Sequence, residues 1–148
     1  MEPLFYMEYR ETKKFVEEAV QAFYKYRNTK RLKVFRTIDI KTKAIDKTAE
    51  IFEDLKKTNR KDRLVKVEFF EEKVNFAAGT DVREIAYSSV EKIFETDTIL
   101  VLYNKAGKKK EEKFLTLKKG SIRGRSLAEL KSFLLEKCEN AKGEIIAL

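Results

Sequence analysis

The sequence predicts an α+β fold: a short-stranded antiparallel sheet closed by a C-terminal helix and preceded by an N-terminal strand and two helices. Three observations carry this expectation. Apolar residues alternate with period two from Leu64 onward, and a capping box at Ser126 opens an apolar stripe of helical spacing. Eleven Phe and six Tyr supply a core, while five Gly and the lone Pro3 leave few breaks between elements.

Leu4 to Tyr9 reads as a short strand, since Phe5 and Tyr6 favour extended backbone. Phe15, Val16, Ala19, Val20 and Phe23 then fall at helical spacing, with Lys13, Lys14, Glu17 and Glu18 on the other face. That spacing predicts a helix over Thr12 to Tyr26. Arg27 to Ile40 fits either type: Leu32, Val34, Ile38 and Ile40 alternate, but Arg36 breaks the phase. Ala44, Ile45, Thr48, Ile51, Phe52 and Leu55 predict a second helix, which ends near Thr58 and Asn59 before the charged connector Arg60 to Arg63.

From Leu64 the period changes to two. Val65, Val67 and Phe69 alternate with polar residues, Phe70-Glu71-Glu72 makes a tight turn, and Val74, Phe76 and Ala78 return. Ala78 to Asp81 is the next turn, followed by strands over Val82 to Ser88, Val90 to Glu95 and Thr98 to Tyr103. Asn104 to Lys108 is a hairpin loop, Lys113 to Leu117 a strand, and Gly120 to Arg125 a loop. Ser126 and Glu129 then form the capping box, and Leu127, Leu130, Phe133, Leu134 and Cys138 make the stripe that must be buried. The expected organisation is residues 1–63 as a strand and helical segment packing on the sheet, and 64–148 as sheet plus helix, in one compact unit.

The chemistry that the composition excludes is informative. With no histidine, the Ser-His and Cys-His nucleophile arrangements and every His-containing metal site are out of reach. Cys138 alone builds neither a disulfide nor a thiolate zinc site, and on the apolar stripe it reads as a small buried side chain. The pairs Glu17/Glu18, Glu71/Glu72 and Glu111/Glu112 are neighbours whose side chains diverge, so they read as solvated surface. Lys119-Gly120-Ser121-Ile122-Arg123-Gly124-Arg125-Ser126 invites comparison with a phosphate loop, but its glycines are one residue too close and Arg replaces the gripping Lys. No enzyme, cofactor or metal is expected.

A formal net charge of +8 points instead to polyanionic partners. The excess is regional: Lys25, Arg27, Lys30, Arg31, Lys33 and Arg36 lie between Glu18 and Asp39 with no acid among them. Together with Arg123 and Arg125 beside the helix N-terminus, they are the candidate anion or lipid contacts. Lys108-Lys109-Lys110 on the hairpin tip reads as a solvated loop with edge-protecting charge. No signal peptide is expected, since Met1-Glu2-Pro3 lacks a basic region followed by an apolar stretch, and the longest apolar run, Ile99 to Tyr103, is far short of a membrane-spanning helix.

Read in order, these elements resemble the YcxB-like family of small bacterial membrane proteins. The matching stretches are Val67 to Val74, Ile85 to Thr96, Leu100 to Tyr103, Phe114 to Gly120 and the helix Leu127 to Cys138, with Leu4 to Tyr26 fitting the same plan. The resemblance implies a pleckstrin-homology-like half-barrel, a strongly bent antiparallel sheet with one helix plugging its open side. It implies no enzymatic activity and carries over no functional residues. Family members place two membrane-spanning helices between the N-terminal helix and the sheet, whereas here Arg27 to Arg63 is polar and cannot enter a bilayer. The resemblance therefore implies either a soluble relative or a chain from which a hairpin was removed, and the amphipathic spacing over Lys41 to Leu55 favours the former.

Three functions follow as expectations. The first is a non-catalytic bacterial interaction or regulatory domain with a protein or peptide partner. The second is a peripheral anionic-membrane module, weakened because the loop that is basic in phosphoinositide-binding pleckstrin domains carries Glu71 and Glu72 here. The third, nucleic-acid binding, rests on charge alone. All three place the chain in the cytoplasm, the second at the inner face of the membrane.

Overall fold

The computed structural model describes residues 2–30, 47, 63–79, 81–107 and 113–148, with the backbone alone for 27–30. The expected second helix (helical Lys47 apart), most of Arg27 to Ile40, and Lys108 to Lys110 lie outside the described residues. The chain divides into two compact units, Met1–Tyr9 with Leu64–Ala147, and Arg10–Arg63 with Leu148.

In the second of these units Thr12 begins helix α1 (Lys13–Lys30), its Oγ1 accepting a hydrogen bond from the Phe15 amide at 3.2 Å. Phe15, Ala22 and Tyr26 are buried, and their spacing puts them on one stripe. Arg63 reaches Glu11 across 2.6 Å.

The other unit is built of strands. Strand β1 (Phe5–Glu11) starts here, and is followed by β2 (Arg63–Phe69), β3 (Lys73–Ala78) and β4 (Asp81–Ala86). Beyond a 3-10 turn at Tyr87–Ser89 come β5 (Val90–Glu95), β6 (Ile99–Asn104) and β7 (Phe114–Lys118). A two-residue β8 (Ile122–Arg123), helix α2 (Leu127–Lys137) and a three-residue β9 (Ile145–Ala147) complete the order.

The strands form two separate sheets where one was expected. The first has the order β4-β3-β2-β1-β8 and the second β7-β6-β5-β9. All pairings with a described register are antiparallel except β5 with β9. The first sheet keeps period two: Phe5, Met7, Tyr9, Val65, Val67, Phe69, Val74, Phe76 and Ala78 are buried while their neighbours face outward. In the second, Ile99 to Leu102 is buried without alternation, as in a strand covered on both faces.

The division between the sheets falls at Tyr87, read from the sequence as part of a strand. Its ring is buried instead, and its hydroxyl donates to the Phe70 carbonyl at 2.5 Å. Burial pushes that phenol's pKa upward, so it remains a donor. Tyr9 ties the sheets together by donating to the Thr116 carbonyl at 2.7 Å.

Helix α2 begins as its sequence predicts. The Ser126 hydroxyl accepts from the Glu129 amide at 3.2 Å, and the Glu129 carboxylate accepts from the Ser126 amide. Leu130, Leu134 and Cys138 are fully buried. Each leucine contributes about 1.5–3 kcal/mol by leaving water. Phe133 lies 5.2 Å from the Phe5 ring and 5.5 Å from the Tyr87 ring. Lys131 reaches Glu95 on β5, so one helix touches both sheets.

Candidate functional site

The basic residues singled out from the sequence have separate fates. Arg31, Lys33 and Arg36 lie outside the described residues, and the side chains of Arg27 and Lys30 with them. Lys25 is half-buried on α1. Arg123 stands on β8 and pairs with Glu8 at 3.2 Å. Arg125 lies 4.2 Å from the centre of the Phe5 ring and pairs with Glu129 at 3.0 Å. Its Nη1 also donates to the Leu4 carbonyl. The two arginines therefore serve internal contacts, each beside a carboxylate.

Five described lysines of this unit also face carboxylates. Lys66 approaches Glu8, Lys73 pairs with Glu84 at 3.3 Å, and Lys137 approaches Glu71. Lys119 and Lys131 share the Glu95 carboxylate at 2.9 and 2.5 Å. Hydrogen bonds from Lys131 and then Lys119 hold that carboxyl below its usual range, against the opposing effect of burial. Lys119 also donates to the Thr96 carbonyl at 2.7 Å. Cys138 is buried, and desolvation pushes its thiol up to about 12, so it is a packing residue and not a nucleophile at neutral pH.

Two open depressions lie on this unit. One, of about 510 Å³, is lined by Phe70, Glu71, Glu72, Lys73 and Asn75 around the β2–β3 turn. Its acidic rim opposes an anionic headgroup. The other, of about 400 Å³, lies between Ser88, Ser89 and Glu91 on one side and Lys105, Asn140 and Lys142 on the other. The Lys105 amide donates to the Ser89 carbonyl and the Asn140 side chain to the Ser88 carbonyl, which ties these walls together. Among the described residues no group of three His, Cys, Asp or Glu is arranged to hold a metal ion. Among them too, no helix is long and apolar enough to cross a membrane.

The surfaces most open to a polypeptide are the sheet edges. β4 ends the first sheet, all six of its residues registered with β3. Val82 on it is 73% exposed, far more than any other large apolar side chain described. Val82, Glu84 and Ala86 face outward, while Arg83 turns inward, stacks 5.1 Å from the Phe76 ring and pairs with Asp81 at 2.8 Å. β9 ends the second sheet, where Ile145, Ile146 and Ala147 register with Ile93, Phe94 and Glu95.

Neither edge was singled out from the sequence. Gly143 followed by Ile145-Ile146 was a legible strand signal, a glycine turn before a β-branched pair. Val82 sat in an expected strand, and only the sheet order shows that this strand is an edge. No family model, curated protein or solved structure matches the chain.

Proposed function

We propose that the chain is a non-catalytic interaction domain of pleckstrin-homology-like plan, taking an extended polypeptide segment along the edge of β4. The observation that carries this reading is Val82, 73% exposed on the terminal strand of a five-stranded sheet. A strand edge offers main-chain hydrogen bonds for affinity, and its outward side chains read alternate residues of the partner. The run β2-β3-β4, then β5-β6-β7, then α2 supports the plan that the YcxB-like resemblance implies.

The anionic-membrane reading has less support. Arg123, Arg125, Lys66, Lys73, Lys119, Lys131 and Lys137 each face a carboxylate, so these seven side chains offer a lipid surface less charge than their number suggests. That reading rests on Lys25, Arg27, Lys30, Arg31, Lys33 and Arg36, whose sequence is rich in charge.

Affinity capture comparing the native chain with Val82→Lys tests the proposal. A reproducible partner retained by the native chain and lost by the variant is the expected result. Capture of no reproducible partner, with flotation of the native chain on phosphatidylserine vesicles at physiological salt, would overturn it.

A further inference from the structure

The second sheet has a different edge, and it is already occupied. β9 lies along β5 as its parallel neighbour, three residues arriving after the whole meander and the helix are complete. Beneath it, Ile93 is 0% and Phe94 2% exposed, so this part of β5 is apolar on both faces. An uncovered edge of that composition invites pairing with any extended chain. It needs a cover.

The cover itself is lightly held. Parallel pairing is slightly weaker per residue than antiparallel, and only three residues take part. Ile145 and Ile146 are half-exposed and Ala147 is exposed. The turn leading in has Lys142 at φ 58° and Gly143 at φ 68°. A lysine in the left-handed region is uncommon, and opening the turn would release it.

We infer that the β5 edge is a strand-accepting groove for which residues 145–147 act as resident ligand, displaced when a partner presents an extended aliphatic segment. The resident segment specifies the partner's chemistry: aliphatic side chains beside Ile93 and Phe94, and a small residue beside Glu95, whose carboxylate is engaged by Lys119 and Lys131. This inference rests on the interaction-domain reading for the existence of a partner. The two fail separately, because Val82→Lys probes β4 and the following test probes β5.

The probe is a fluorescein-labelled peptide of sequence GEIIAL, matching residues 143–148, measured by anisotropy against the full chain and against a chain lacking those residues. The truncated chain should bind it saturably, and the full chain about tenfold to a hundredfold more weakly, since its groove is mostly filled. The control peptide GEDDAL should bind neither. A truncated chain that folds yet fails to bind GEIIAL overturns the inference, as does equal binding by both chains. Should truncation prevent folding, hydrogen exchange in the intact chain decides. Amides of Ile145 to Ala147 should then open at least about a hundredfold more readily than those of β2 and β3, and opening only with global unfolding overturns the inference. Concentration-dependent dimers of the full chain that vanish on truncation would overturn the partner in favour of strand exchange between copies.

Discussion

The two sheets of one unit finish their edges in opposite ways. The first stops at β4 with no described residue placed over Val82, and its flanking Asp81, Arg83 and Glu84 are charged. The second would stop at β5, where Ile93 and Phe94 are buried, and the chain brings Ile145 to Ala147 back to cover it. The difference teaches what an edge requires. Charged residues keep a bare edge in solution, whereas an apolar edge must be paired.

The comparison breaks most readily at Phe94. Phe94→Ala empties a buried ring beside the covered edge and should cost about 3–5 kcal/mol in urea unfolding. A loss below about 1 kcal/mol would show that the site collapses around the missing ring.

The junction between the sheets gives the next largest effect. Tyr87→Phe removes the donor to the Phe70 carbonyl and should destabilise by about 1 kcal/mol, the usual net worth of one hydrogen bond. Ser126→Ala should cost a similar amount, about 1 kcal/mol, through loss of the cap at the start of α2. If Tyr87→Phe also speeds exchange in β2 and β3 but leaves β5 and β6 unchanged, the sheets respond as separate units.

Glu95 sharpens the comparison through pH. Its carboxyl is held below the usual range by Lys131 and Lys119, so the unfolded chain binds that proton more tightly than the folded one. The stabilisation is therefore full above the ordinary carboxylate range and is lost as pH falls through the lowered folded value. Each pair is partly exposed, which limits it to under about 1 kcal/mol. The melting temperatures of the native chain and Glu95→Gln should differ above the ordinary carboxylate range and converge as pH falls through the lowered folded value. A gap independent of pH would mean that the pairs contribute through packing alone.

Local patterns were legible in the sequence, and non-local pairing was not. The alternation of Val65, Val67 and Phe69 with Lys66 and Glu68 announces β2, and Ser126 with Glu129 announces α2, because each signal lies within a few residues. β8 was read as loop, since Ile122 and Arg123 are extended only by pairing with Met7 and Tyr6 far along the chain. β9 was missed for the same reason. Tyr87 looked like a strand residue until the Phe70 carbonyl, seventeen residues back, drew its hydroxyl inward. Arg123 and Arg125 stand as candidate anion contacts in the sequence because Glu8 and Phe5, which engage them, are more than a hundred residues away. The edges escaped notice because edge position is a property of the sheet and not of the strand.

The smallest effect tests the bare edge itself. Val82 packs little and faces outward, so Val82→Lys should change stability by no more than about 0.5 kcal/mol. The new charge would leave the β3 pairing in place, because Ala77, its registered neighbour, is small and half-buried. It would, however, set a hydrated ammonium where a partner strand has to lie, and so weaken association without loosening the fold. A loss of more than about 1 kcal/mol would instead show Val82 to be covered in the folded chain, and β4 would then be finished like β5.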